Sequence, residues 1–237
     1  MLIRHQKTMS VGLLLGITFL GMLALIFSPV FGQGKNGLEY SDELFNKLAK
    51  GSSYFIPKLT GDLKEVEKDE LAVSVKMDSA GQAVMAAKIF ARAAPDTTSQ
   101  DVQLNIKGNL TKLLGAVLED SSTMYFNKGE EVRQKYGMDE QEVMTTWWAG
   151  LNRAAKELQK SRKTEQANMI LEVMKKGIEP AYNFYRIEPQ SVGEKAFTAT
   201  GLLVFYVIYT MWWGFAIFYL FDSLGLSMKK AKVKQEV

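Results

Sequence analysis

The sequence predicts a helix-rich α+β domain, with a small parallel βαβ unit and long helices, held between two transmembrane helices. Three observations carry this. Two charge-free apolar runs lie near the two ends of the 237 residues, each long enough to cross a bilayer. Two short alternating segments rich in β-branched residues flank one helical segment. Three further stretches repeat their apolar residues at the helical period.

Residues 1–10 form a basic tail with Arg4 and Lys7, and no charge occurs between Lys7 and Lys35. Residues 11–31, "VGLLLGITFLGMLALIFSPVF", form the first span, since roughly 20 apolar residues cross a bilayer core. An uncleaved anchor is expected rather than a signal peptide. The run is long for such a peptide, and Pro29-Val30-Phe31 is not a small-x-small cleavage pattern. Gly12 and Gly16, four residues apart, mark a face on which another helix can approach closely.

Residues 32–190 form the domain. After the linker "GQGKNG", the stretch "EYSDELFNKLAKG" reads as a short helix with acids in its first turn. "SSYFIPKLTGDLKEVEKDE" reads as a turn and a charged surface segment, because of Pro57 and Gly61. Residues 71–77 alternate as a strand. The next segment begins with a Ser79-x-x-Gln82 capping box and puts Val84, Ala87, Phe90, Ala91 and Ala94 on one helical face. "PDTTSQ" reads as a loop and "DVQLNIKG" as a second strand with Val102, Leu104 and Ile106 on one side; alternatively, "DVQLNI" opens the next helix. Strand, helix and strand together have the size of a parallel βαβ unit.

Three helical stretches follow. The first starts at Asn109 as N-cap and buries Leu113, Leu114, Val117, Leu118, Ser121, Met124 and Tyr125. The second opens on Asp139-x-x-Glu142 and carries Val143, Met144, Trp147, Trp148, Leu151, Ala154, Ala155 and Leu158 inward. Core is the expected placement of the pair; Trp147 fits the stripe less well than Trp148, and its alternative is to face a groove. The third buries Ile170, Val173, Met174 and Ile178 and is expected to end near Glu179-Pro180.

Residues 191–224 form the second span, entered through a Ser191-x-x-Glu194 capping box and free of charge from Ala196 to Phe221. Tyr206, Tyr209, Trp212, Trp213 and Tyr219 extend through its middle. A plain lipid-facing anchor concentrates aromatics at its two interfaces. Aromatics throughout suggest a face that packs on protein or on a lipophilic molecule; the equal alternative is a lipid-exposed aromatic helix. Residues 225–237, with "KKAKVK", form a second basic tail. Basic short flanks orient spans toward the cytoplasm. Both termini are thus expected in the cytoplasm, and the domain in the periplasm or its equivalent, at the inner (plasma) membrane.

Residues 33–196 hold 23 basic and 24 acidic residues, a near-neutral domain without the basic stripe of a nucleic-acid binder. The sequence contains no cysteine, and His5 is its only histidine. This excludes disulfides, thiolate metal sites, and histidine ligands or bases within the domain. Glu65–Glu70 and Glu130–Glu131 lack the spacing of a calcium loop and read as solvated faces. Glu119, Asp120 and Glu157 read as surface acids on helices. Asp222 reads as interfacial, near Lys229 and Lys230, and Asn109-Leu110-Thr111 as a helix start rather than a glycosylation site. No cofactor or metal site is expected. The candidate partner or ligand contacts are Trp147, Tyr182, Tyr185, Tyr206, Tyr209, Trp212 and Trp213.

A basic tail, a span, a helical domain and a second span resemble the sensor half of bacterial chemoreceptors and sensor kinases in topology. The departure is that about a dozen residues follow the second span, so a sensor of this kind would signal through a partner. The expected function is a non-catalytic, two-span accessory subunit of a larger membrane complex, with integral membrane proteins and lipid as its partners. The alternatives are a ligand-binding sensor or adaptor and a membrane-tethered, metal-independent enzyme.

Overall fold

The computed structural model describes residues 5–226 and divides the chain into two compact units, residues 49–190 and residues 1–48 with 191–237.

In the second of these, helix α1 (Gln6–Phe27) packs against α10 (Val192–Ser223). Both are long and apolar enough to cross a membrane. The 22 residues of α1 span about 33 Å, close to a bilayer core, and the 32 residues of α10 about 48 Å, which leaves turns to spare beyond it. Ser191 is the N-cap of α10 by its extended backbone, but its side chain makes no cap hydrogen bond. The expected capping box is therefore absent there. The two helices approach most closely at Gly12, where an added Cβ would lie 2.9 Å from both the Leu220 side chain and its backbone nitrogen. A Cβ at Gly16 would meet nothing within 4 Å, so of the predicted glycine pair only Gly12 serves this contact. Helix α2 (Gly37–Ser52) begins in this unit, where Glu43 lies between Lys35 and Lys47. Hydrogen bonds from those two ammonium groups hold its carboxyl down at about 2.

The other unit is a helix-rich α+β domain. Pro57 does not make a turn. It occupies the first turn of α3 (Ile56–Asp62), where its missing N–H costs nothing, and a 3-10 turn follows at Leu63–Val66. Ile56, Leu59, Leu63 and Val66 are buried, so the supposed surface segment contributes to the core.

The three-stranded sheet has order β1-β3-β2, with β1 (Glu70–Lys76), β2 (Thr98–Gln100) and β3 (Gln103–Asn109). Both outer strands run antiparallel to β3, with Val73 opposite Ile106 and Ser99 opposite Leu104. The expected parallel pairing of the two longer strands is therefore wrong. Thr98–Gln100, expected as loop, pairs as a strand, and a tight turn with Asp101 at φ 53° returns the chain along it. A two-residue hairpin connection forces antiparallel pairing, whereas a parallel pair needs a crossover. β3 thus inserts between β1 and β2, which are parallel to each other but not adjacent. Leu71, Val75, Leu104 and Ile106 bury one face of the sheet.

Helix α4 (Ala80–Phe90) connects β1 to β2 and is capped by Ser79 as expected. Its buried face is Ala83, Ala86, Ile89 and Phe90, while Val84 is exposed. The face is turned from the expected one because α7 (Glu140–Lys160) approaches at Gly150, whose Cβ would lie 2.5 Å from the Phe90 ring. The stretch from Asn109 splits into α5 (Leu110–Tyr125) and α6 (Gly129–Tyr136). Asn127 interrupts it at φ 61°, a conformation that asparagine tolerates. Helix α8 (Thr164–Val173) continues through a π-helical turn, Met174–Ile178, into α9 (Glu179–Asn183). Pro180 sits in the first turn of α9 rather than ending the helix. The Glu179 N–H donates to the Met174 carbonyl across the wide turn.

Candidate functional site

Helix α7 decides which aromatic residues are available. Val143, Trp147, Gly150, Leu151, Ala154 and Leu158 form its buried side, so the stripe runs through Trp147 and not Trp148. The Trp147 ring is 0% exposed and packs 4.4 Å from Phe90, centroid to centroid. Trp147 is therefore core, and the alternative that it faces a groove falls away. Indole is large and apolar but needs an acceptor when buried. Asp120 supplies it, accepting from Trp147 Nε1 at 2.9 Å, Tyr136 Oη at 2.7 Å and Lys135 Nζ at 2.7 Å. Asp120 itself is buried, which corrects its reading as a surface acid. Burial and the adjacent Asp120 carboxylate push the Tyr136 phenol far up.

One position further round the helix, Trp148 is 39% exposed. It lines a groove of about 280 Å³ with Met144, Thr145, Ile178, Glu179, Tyr182 and Asn183. Buried Met144 and Ile178 contribute to its lining, while Trp148 and Tyr182 present half-open rings. The Trp148 Nε1–H donates to Glu179 Oε1 at 3.4 Å. The π turn places Ile178 and Glu179 here, and such turns occur frequently at functional sites. Of the predicted contacts in this domain, Tyr182 is in the groove.

Tyr185 is elsewhere. Its hydroxyl donates to Glu140 Oε1 at 2.9 Å, and the Arg186 guanidinium lies 5.2 Å from its ring centroid. Glu140, 2% exposed, also accepts from Arg133 Nε at 2.8 Å. Burial pushes the Glu140 carboxyl up, but a backbone hydrogen bond, Tyr185 and Arg133 outweigh it and hold it low. Sequence reading missed Glu140, Asp120 and the buried Lys50. Lys50 Nζ donates to Asn127 Oδ1 at 2.8 Å, Phe184 O at 3.0 Å and Ile187 O at 2.6 Å. Burial lowers the Lys50 ammonium below its ordinary value. All three buried charges are engaged by several partners, so they organise the domain rather than line an open cleft. The one available signal was the position of Asp120 on the edge of the apolar stripe of α5, three residues after Val117 and four before Met124.

In the helix pair, Tyr209 stacks on Phe19 at 4.3 Å and Trp213 tilts against the same ring at 4.7 Å. Trp212 Nε1 donates to the Leu15 carbonyl at 3.1 Å. Three of the four predicted contacts in the second span therefore bind α1, and Tyr206 faces outward. An outward-facing apolar groove of about 560 Å³ remains, lined by Val11, Leu15, Ile208, Met211, Trp212, Phe215 and Tyr219. Asp222 lies in the last turn of α10, and Lys229 and Lys230 fall outside the described residues. Among the described residues, no group of three or more His, Cys, Asp or Glu is placed to hold a metal ion. Comparison with protein families, with curated proteins and with solved structures returns no match.

Proposed function

We propose that this chain is a non-catalytic, two-span accessory subunit of a larger membrane protein complex. The observation that carries the reading is the pair of outward-facing grooves built on rigid helices. One lies on the α1–α10 pair and the other on α7 and α9. Helix pairs in lipid associate by close packing rather than by a hydrophobic driving force. An aromatic-lined groove on such a pair offers the shape that a third helix fills. In this reading the spans lie in the inner (plasma) membrane, both termini are cytoplasmic, and residues 49–190 project on the other side. The basic flanks of the two spans support that orientation.

Crosslinking in native membranes, mild-detergent extraction, native electrophoresis and mass spectrometry test the reading. Stoichiometric integral membrane partners are expected, and Phe215→Ala with Met211→Ala reduces their recovery. A chain recovered alone or only with itself overturns it. Orientation is tested separately. The chain has no cysteine, so a single cysteine at exposed position 84 reports cleanly. A membrane-impermeant maleimide labels it in intact cells, or in spheroplasts where an outer membrane intervenes, only if the domain is outside the cytoplasm.

A further inference from the structure

We infer that the Trp148–Tyr182 groove takes a single arginine side chain presented by the partner protein, an inference that rests on the subunit reading. The groove combines two recognition elements for one chemistry. Trp148 and Tyr182, both partly exposed, line it, and the negative face of an aromatic ring attracts a cation. Glu179 is exposed and, among the described residues, forms no ion pair with a Lys or Arg. Its one side-chain hydrogen bond is the long one from Trp148, so it retains lone pairs for a donor entering the groove. The two buried carboxylates of this domain are already paired, Glu140 with Arg133 and Asp120 with Lys135, so neither is open to a cation from outside.

Size selects the source. A volume of about 280 Å³ falls at or below the lower end of small-molecule pockets, which run about 300–1,000 Å³. It accommodates one inserted side chain. Arginine fits better than lysine because a planar guanidinium stacks on an aromatic face while its edge donates to a carboxylate, and it is less strongly hydrated. Arginine is also enriched at the energetic centres of interfaces.

The test uses the full chain in lipid nanodiscs with 5-fluorotryptophan at its four tryptophans, the Trp148 resonance being assigned by Trp148→Phe. N-acetyl-arginine methylamide is the probe, and its uncharged near-isostere N-acetyl-citrulline methylamide the control. The expected result is a saturable shift of the Trp148 signal with no shift of Trp147. Affinity is on the order of millimolar. It falls at least about tenfold with the citrulline control or in Glu179→Gln, because a charge-assisted hydrogen bond is lost. Equal responses to arginine and citrulline, or an unchanged response in Glu179→Gln, overturn the inference. The same variant is then carried through the crosslinked membrane pull-down. Partner recovery that falls in Glu179→Gln and in Trp148→Ala supports it. Recovery equal to that of the native chain overturns the arginine inference and leaves the subunit reading standing. Absence of any partner with the native chain overturns the subunit reading, and with it the assignment of the groove to a partner's arginine.

Discussion

Replacing Asp120 tests whether one carboxylate organises the core between α5, α6 and α7. Alanine at this position strands the Trp147 N–H and the Tyr136 O–H, both buried. Each stranded donor costs about 1–3 kcal/mol. Lys135 is partly exposed and recovers water, so its loss adds at most about 1 kcal/mol. Removing a buried carboxylate returns part of its desolvation cost, which leaves an expected loss of about 3–5 kcal/mol. An asparagine side chain in its place keeps one acceptor but turns an amide N–H₂ toward a donor, so Asp120→Asn loses about 2 kcal/mol. The assay is urea unfolding of the purified chain in mild detergent, followed by tryptophan emission. Both variants lower the midpoint of the domain transition with an unchanged slope. Coupling is the stricter criterion. In a Trp147→Phe background the indole donor is already gone, so Asp120→Ala costs about 1 kcal/mol less than in the native chain. Losses below about 1 kcal/mol for Asp120→Ala, or strict additivity in the cycle, would refute the reasoning.

Lys50→Met leaves the Asn127 amide oxygen and the Phe184 and Ile187 carbonyls without their common donor, and lowers domain stability by about 3 kcal/mol in the same titration. Gly150→Ala drives a methyl into the fully buried Phe90 ring and costs about 1–3 kcal/mol, whereas Gly115→Ala, where a Cβ meets nothing within 4 Å, costs nothing and gains helix propensity. In the helix pair, Gly12→Val forces α1 from α10 while Gly16→Val does not. Distances between spin labels on introduced cysteines lengthen for the first alone. Stability also depends on acid. Glu140 is held below its ordinary value in the folded chain, so its contribution is complete above about pH 4.5, the unperturbed range, and is lost as pH falls through its lowered folded value. Glu140→Gln flattens that part of the pH profile, read as the thermal midpoint between about pH 6 and about pH 3.

The two helices long and apolar enough to cross a membrane, the cap residues Ser79, Asn109 and Asp139, and most of the buried stripe of α5 were legible from local pattern, because charge-free length and helical periodicity are properties of the chain alone. The exclusion of cysteine chemistry came from composition in the same way. Tertiary structure decided the rest. Trp147 and Trp148 are adjacent in sequence and equally apolar, and only the position of Asp120 and Phe90 made the first core and the second surface. The strand order turned on three residues, Thr98–Gln100, too short to carry a period, and on a left-handed Asp101. Asp120 read as a surface acid, and nothing in the local pattern singled out Lys50 or Glu140, because a charge can be buried only where distant partners converge on it. The Trp148 groove exists for the same reason. Its residues come from α7, the π turn and α9, about thirty positions apart, and no local pattern could announce that they meet.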